Sequence, residues 1–241
     1  MGHRSTGSSG MIVAGDEMES KWVEYDRWNE VLAGIIYCET SAFEPVYLDM
    51  DDEILAQAGN ELGLDPELSP PELALSRAVK QTLLLGAPNS GVGVLSLHKE
   101  RLRTWLHRSR ASHADRTDAP PIVALLATFT RAAELMSRDE QYTSRAYFPR
   151  LFSLLDIPPD DQGRMESAFR NDSEFLWRSL NDWIESGNGA LGQPTAEALG
   201  YRYVGLPMSQ ALIRKADRQA LVDLFLDSGL EPELRLSEKD M

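Results

Sequence analysis

Cysteine is nearly absent: Cys38 is the one thiol in 241 residues. That excludes an intrachain disulfide and a zinc site built on several thiolates. A lone thiol suits a reducing compartment. Long hydrophobic runs are also missing. The longest, Ile122 to Phe129, is followed by Arg131 and Glu134 and falls far short of the ~18 apolar residues that span a bilayer. Basic residues are outnumbered, 24 Lys and Arg against 38 Asp and Glu, for a net charge of −14. This balance repels nucleic acid and anionic lipid at long range. Glycine and proline are too few for a collagen-like or linker-like chain, and 42% hydrophobic residues exclude a wholly disordered one. No basic stretch followed by an apolar one opens the sequence, so no secretory signal is read there. The expectation is a cytoplasmic protein with no membrane partner.

What is present is helical periodicity. At roughly 150 residues per domain the length allows one large domain or two small ones, with enough chain to bury a core without disulfides or metal. Trp22, Tyr25, Trp28, Val31, Leu32, Ile35 and Ile36 recur at three- and four-residue spacing and predict a helix from Met18 to Cys38, with Cys38 on its inner face. Asp51 or Asp52 caps a second helix to about Leu62, stopped by Gly63. Ser69 and Pro70 read as an N-cap and first position of a third, carrying Leu73, Val79, Leu83 and Leu84 to Gly86. Ser96 caps the next, with Leu102, Trp105 and Leu106 inward. Pro121 opens an apolar helix to about Met136, whose Ile122, Leu125, Leu126 and Phe129 predict deep burial. Further helices are expected over 144–155, from Asp160 or Asp161 to Gly187 with a stripe of Phe169, Leu176, Leu180 and Trp183, and over 208–214 and 216–226. Only 44–49 and 201–204 read as extended.

The fold expected is mainly α and helical-bundle-like, one large or two small helical subdomains with a minor β hairpin at most. Residues 1–10 read as a flexible leader and 11–110 as an N-terminal helical subdomain. The polar, aperiodic stretch 111–121, ending in two prolines, is a linker or long loop. Residues 122–229 form the C-terminal helical subdomain and 230–241 a charged tail.

Three local patterns touch on catalysis. An apolar run ending in Gly86, then Gly91 five positions later, resembles the skeleton of a phosphate-binding loop. Val92 and Gly93 stand where that chemistry needs Lys and a hydroxyl, so a turn after a helix is expected, without useful nucleotide affinity. Tyr47 to Glu53, an apolar segment ending in Asp49, Met50 and Asp51, resembles the nucleophile motif of haloacid-dehalogenase-like phosphotransferases over five residues. Glu53 stands where that family has Thr or Val, and the carboxylates suit a helix cap. His98, His107 and His113 are spaced by nine and six, which does not place them on one helix face for a metal. No catalytic, cofactor-binding or metal-binding residue is assigned.

Charge distribution carries the functional expectation. Thirteen carboxylates lie between Asp16 and Glu61 against Lys21 and Arg27, a local charge of −11. From His98 to Arg116 the balance reverses to +4. A helix there puts His98, Arg101 and Arg108 on one flank and Lys99, Arg103 and Arg110 on another. The corner from Tyr201 to Arg218 resembles a winged helix-turn-helix, with Ser209, Gln210, Arg214, Lys215 and Arg218 available to phosphates and base edges. An ordinary helical corner with Leu212, Ile213, Leu221, Leu224 and Phe225 in the core is the simpler account. The first reading is a non-catalytic protein-interaction subunit of a larger intracellular, bacterial-type assembly, with a protein partner. The alternative is a nucleic-acid-binding module in which Lys99, Arg101, Arg103, Arg108, Arg110, Arg214 and Arg218 contact the anion. A third reading is an acid-cluster metal enzyme through Asp49, Asp51 and Asp52, whose clustered carboxylates could bind Mg²⁺. An account of the basic segment without a ligand is that it docks on the chain's own acidic half.

Overall fold

The computed structural model describes residues 10–37, 47–85, 93–111, 118–136, 146–186, 208, 212 and 214–227; within these, side chains of 10–20, 109–111 and a few later helix positions are not described. The chain is mainly helical. Eight helices stand among the described residues: α1 (Gly10–Ile36), α2 (Asp52–Glu61), α3 (Pro71–Thr82), α4 (Ser96–Ala111), α5 (Val123–Glu134), α6 (Phe148–Leu154), α7 (Pro159–Ser186) and α8 (Lys215–Asp227). No strand occurs among those residues. Tyr47 to Met50 has no regular secondary structure, which corrects the extended expectation where it can be seen. The 201–204 segment, Cys38 and most of the Gly86–Gly93 turn lie outside the described residues.

α5 is the centre. Every residue from Val123 to Ala133 is buried, the pattern of a helix covered on all sides. It packs against α1, α3, α6 and α7, and α1 also packs on α3 and α2. One core cluster runs from Tyr25 to Leu212 and draws side chains from both sides of the 111–121 stretch. The predicted α7 stripe, Phe169, Leu176, Leu180 and Trp183, is buried, as are Leu102 and Trp105 of α4.

The helix ends follow local chemistry. Asp51 caps α2: its carboxylate accepts from the Ile54 N–H at 3.0 Å. Gly63, at φ +71°, turns the chain out in the left-handed region that glycine favours. α3 differs from expectation. It opens at Pro71, with Pro70 in the cap position at ψ 130° and no side-chain cap bond, because a residue before proline is pushed out of the helical region. It ends at Thr82, not Gly86, where Leu83 turns extended. Its buried face is Leu75, Ala78 and Val79, whereas Leu73 is 57% exposed. Leu224 of α8, expected in the core, is 64% exposed.

The N-terminus of α5 is satisfied from another helix. Buried Asn29 of α1 accepts the Ala124 N–H at 3.2 Å and donates to the Pro120 carbonyl at 3.0 Å. Tyr25 adds a hydroxyl bond to the Pro121 carbonyl at 3.2 Å. These bonds dock α1 on the entry to α5 and shape the floor of the groove described next.

Candidate functional site: the groove between α1 and α4

α4 lies beside α1, and its cations meet the acidic segment. Arg101 donates from two nitrogens to the two carboxylate oxygens of Asp26, both at 2.8 Å. Its guanidinium carbon lies 4.1 Å from the centre of the Trp22 ring. The forked pair and the ring face both favour guanidinium over ammonium. On the other side of α4, Lys99 pairs with Asp172 of α7 at 2.8 Å. Four of the seven cations assigned to an external anion are thus held internally. Besides Lys99 and Arg101, Arg218 sits 2.7 Å from both oxygens of Asp49 and 3.9 Å from the Tyr47 ring centre. Arg214 is buried and donates to Asp217 at 2.7 Å and to the Met136 carbonyl at 2.9 Å. Arg103 and Arg108 are exposed on α4; the Arg110 side chain lies outside the described residues, as do Ser209 and Gln210.

His98 corrects the expected flank. It is fully buried, 3.1 Å from the Thr82 hydroxyl, with Trp22 and Tyr25 edge-on at 5.1 and 5.2 Å. Burial, with the Arg101 charge nearby, pulls its pKa down to about 3. It is a neutral core imidazole, so it adds no charge to a basic flank. His107 is exposed and His113 is outside the described residues.

The Asp49, Asp51 and Asp52 cluster is likewise accounted for by cations. Asp49 meets Arg218, Asp51 meets Lys215 at 2.7 Å, and Asp52 meets Arg131 at 2.7 Å. Partial burial pushes the Asp51 carboxyl up, but hydrogen bonds from Lys215 and the Ile54 N–H bring it below its ordinary value. No group of metal-ligating side chains is assembled among the described residues.

A groove of about 810 Å³ lies between α1, α4, the 118–121 segment and the end of α7. Trp22, Tyr37, Trp105 and Trp183 give it aromatic walls. Tyr37 and Trp183 lie 5.0 Å apart, ring centre to ring centre. Asp26, Glu30, Glu100 and Asp118 line it with Arg101 and Arg108. Glu30 and Glu100 are exposed and form no ion pair with any described residue. Gly34 also lines the groove, and a Cβ there would meet nothing within 4 Å. Charge counting reads the 98–116 segment as a cationic surface and does not foresee the groove, in which Trp22 and Trp105, expected on apolar helix faces, both take part. No helix among the described residues is long and apolar enough to cross a membrane. No protein-family model, curated protein or solved structure matches this chain.

Proposed function

We propose that this chain is a non-catalytic protein-interaction subunit of a larger assembly, docking its partner in the groove between α1 and α4. The observation that carries this is the groove's composition, four aromatic side chains with the exposed carboxylates of Glu30 and Glu100 beside them. Tyrosine and tryptophan in a concave site are the residues that most often carry binding energy between proteins. The nucleic-acid reading has less support, because Lys99, Arg101, Arg214 and Arg218 already face carboxylates of this chain. The lone thiol, Cys38, remains our reason for placing the protein in the cytoplasm.

Gly34→Trp tests the proposal, since Gly34 lines the groove and a Cβ there meets nothing within 4 Å, so the indole is added on the groove side of α1. A tagged parent chain is expected to retain a protein from a lysate of its source cells, identified by mass spectrometry. The Gly34→Trp chain, with unchanged circular dichroism, is expected to lose it. Equal retention by both would refute the groove as the docking surface.

A further inference from the structure

We infer that α4 is an acid-releasable wall of the groove, seated on α1 and α3 through a histidine that must stay neutral for the helix to remain docked. α4 gives the core a single stripe, His98, Leu102 and Trp105, at helical spacing, whereas α5 is buried all the way from Val123 to Ala133. An ionisable group thus stands in the inward stripe of a helix with one buried face. Such an element opens more readily than a helix covered on all sides.

The bonding fixes the form of the imidazole. The Thr82 hydroxyl donates to the Val79 carbonyl at 2.7 Å, so its oxygen accepts from His98 Nε2 at 3.1 Å. Nδ1 is then the bare nitrogen, and it has no hydrogen-bond partner among the described residues. A proton added there would be buried without an acceptor. The surrounding elements do not favour it. α1 presents the rings of Trp22 and Tyr25, and the Tyr25 hydroxyl is turned to the Pro121 carbonyl. Asp26 of α1 is engaged by two nitrogens of Arg101. α3 presents Thr82. From α4 itself, Arg101 opposes a second positive charge, and Lys99 is paired with Asp172 of α7.

His98 leaves this site with α4 when the helix lifts. In water its imidazole takes up a proton at the ordinary value of 6.5, against about 3 in the seated helix. The opening is therefore insensitive to pH well above 6.5 and is favoured about tenfold per pH unit below it, about 30-fold in all at pH 5. α4 contributes Arg101, Trp105 and Arg108 to the groove's lining, so mild acid takes away one wall. This consequence stands on the packing of α4, whatever the groove binds.

Hydrogen–deuterium exchange of the full chain at pH 7.5 and pH 5, read by mass spectrometry and corrected for the intrinsic effect of pH on amide exchange, tests the inference. In the parent, α4 peptides are expected to be about tenfold or more less protected than α5 peptides at both pH values, and α4 opening to rise about 30-fold from pH 7.5 to pH 5. His98→Gln keeps an N–H donor and takes up no proton; with unchanged circular dichroism, its rise is expected to fall below about threefold. His98→Phe, which fills the stripe with an apolar ring, is expected to respond as weakly. Equal protection of α4 and α5 at both pH values would overturn the inference, since His98 would then report only the unfolding of the whole chain. A parent rise below about threefold would overturn it too, and both of these outcomes are read without any variant. So would a parent-like rise in either variant that folds.

Discussion

Arg131→Met sets two opposing effects against each other. Arg131 sits in α5 with a side chain 10% exposed. It donates to the Met50 carbonyl at 3.2 Å, to Asp52 at 2.7 Å and to Glu72 at 3.0 Å, joining α5 to the 47–51 segment, α2 and α3. Methionine keeps most of the aliphatic stem and removes every donor. The Asp52 side chain is 91% exposed, so water replaces its partner at almost no cost. Glu72, 30% exposed, loses a better-sheltered contact worth about 1 kcal/mol. The Met50 carbonyl is buried, and leaving it unbonded costs about 1–3 kcal/mol. Against this, the guanidinium no longer has to be desolvated, and its Nε already has no partner. The net expectation is a loss of about 2–3 kcal/mol, from a total of roughly 5–15. Urea unfolding should show it as a lower midpoint at unchanged slope, and melting as a drop of roughly 5–10 °C. Arg131→Lys should lose about half as much, keeping the charge but not the fork. If Arg131→Met lies within about 0.5 kcal/mol of the parent or above it, desolvation outweighs the three contacts and the residue does not hold these elements together.

Trp105→Ala empties a buried site in α4 and is expected to cost about 3–5 kcal/mol by chemical unfolding; a parent-like midpoint would mean the indole is not anchoring the helix. Gly34→Ala, in a helix with open space around the new methyl group, should stabilise by about 0.5–1 kcal/mol, read as a higher midpoint. His98 has a folded-state pKa near 3, below its ordinary 6.5, so the unfolded chain takes up the proton first. Its contribution is intact above about pH 6.5 and falls on acidification toward 3, by up to about 1.4 kcal/mol per pH unit. Unfolding at several pH values checks this, and an identical pH slope in His98→Gln would show that the imidazole is not responsible.

The fold class, most of the helices and the inward stripes of α5 and α7 were legible in the order of residues alone. Ile122, Leu125, Phe129, Phe169 and Leu180 recur at the helical period, and burying a long apolar stripe leaves few alternatives. Caps are local chemistry, so the sequence also narrowed the cap of α2 to Asp51 or Asp52, of which the structure uses Asp51, and marked Gly63 as a stop. Tertiary structure alone decided that Leu75 rather than Leu73 faces the core, since the phase of a short helix is set by its neighbours. It alone placed Asn29 on the N-terminus of α5, 95 residues away. It also put Arg101 on Asp26, 75 residues away, and Arg218 on Asp49, 169 away. Periodicity describes one helix at a time and charge counting one segment at a time. Which cation meets which carboxylate, and which helix faces meet to leave a groove, depends on how helices distant in the chain come together.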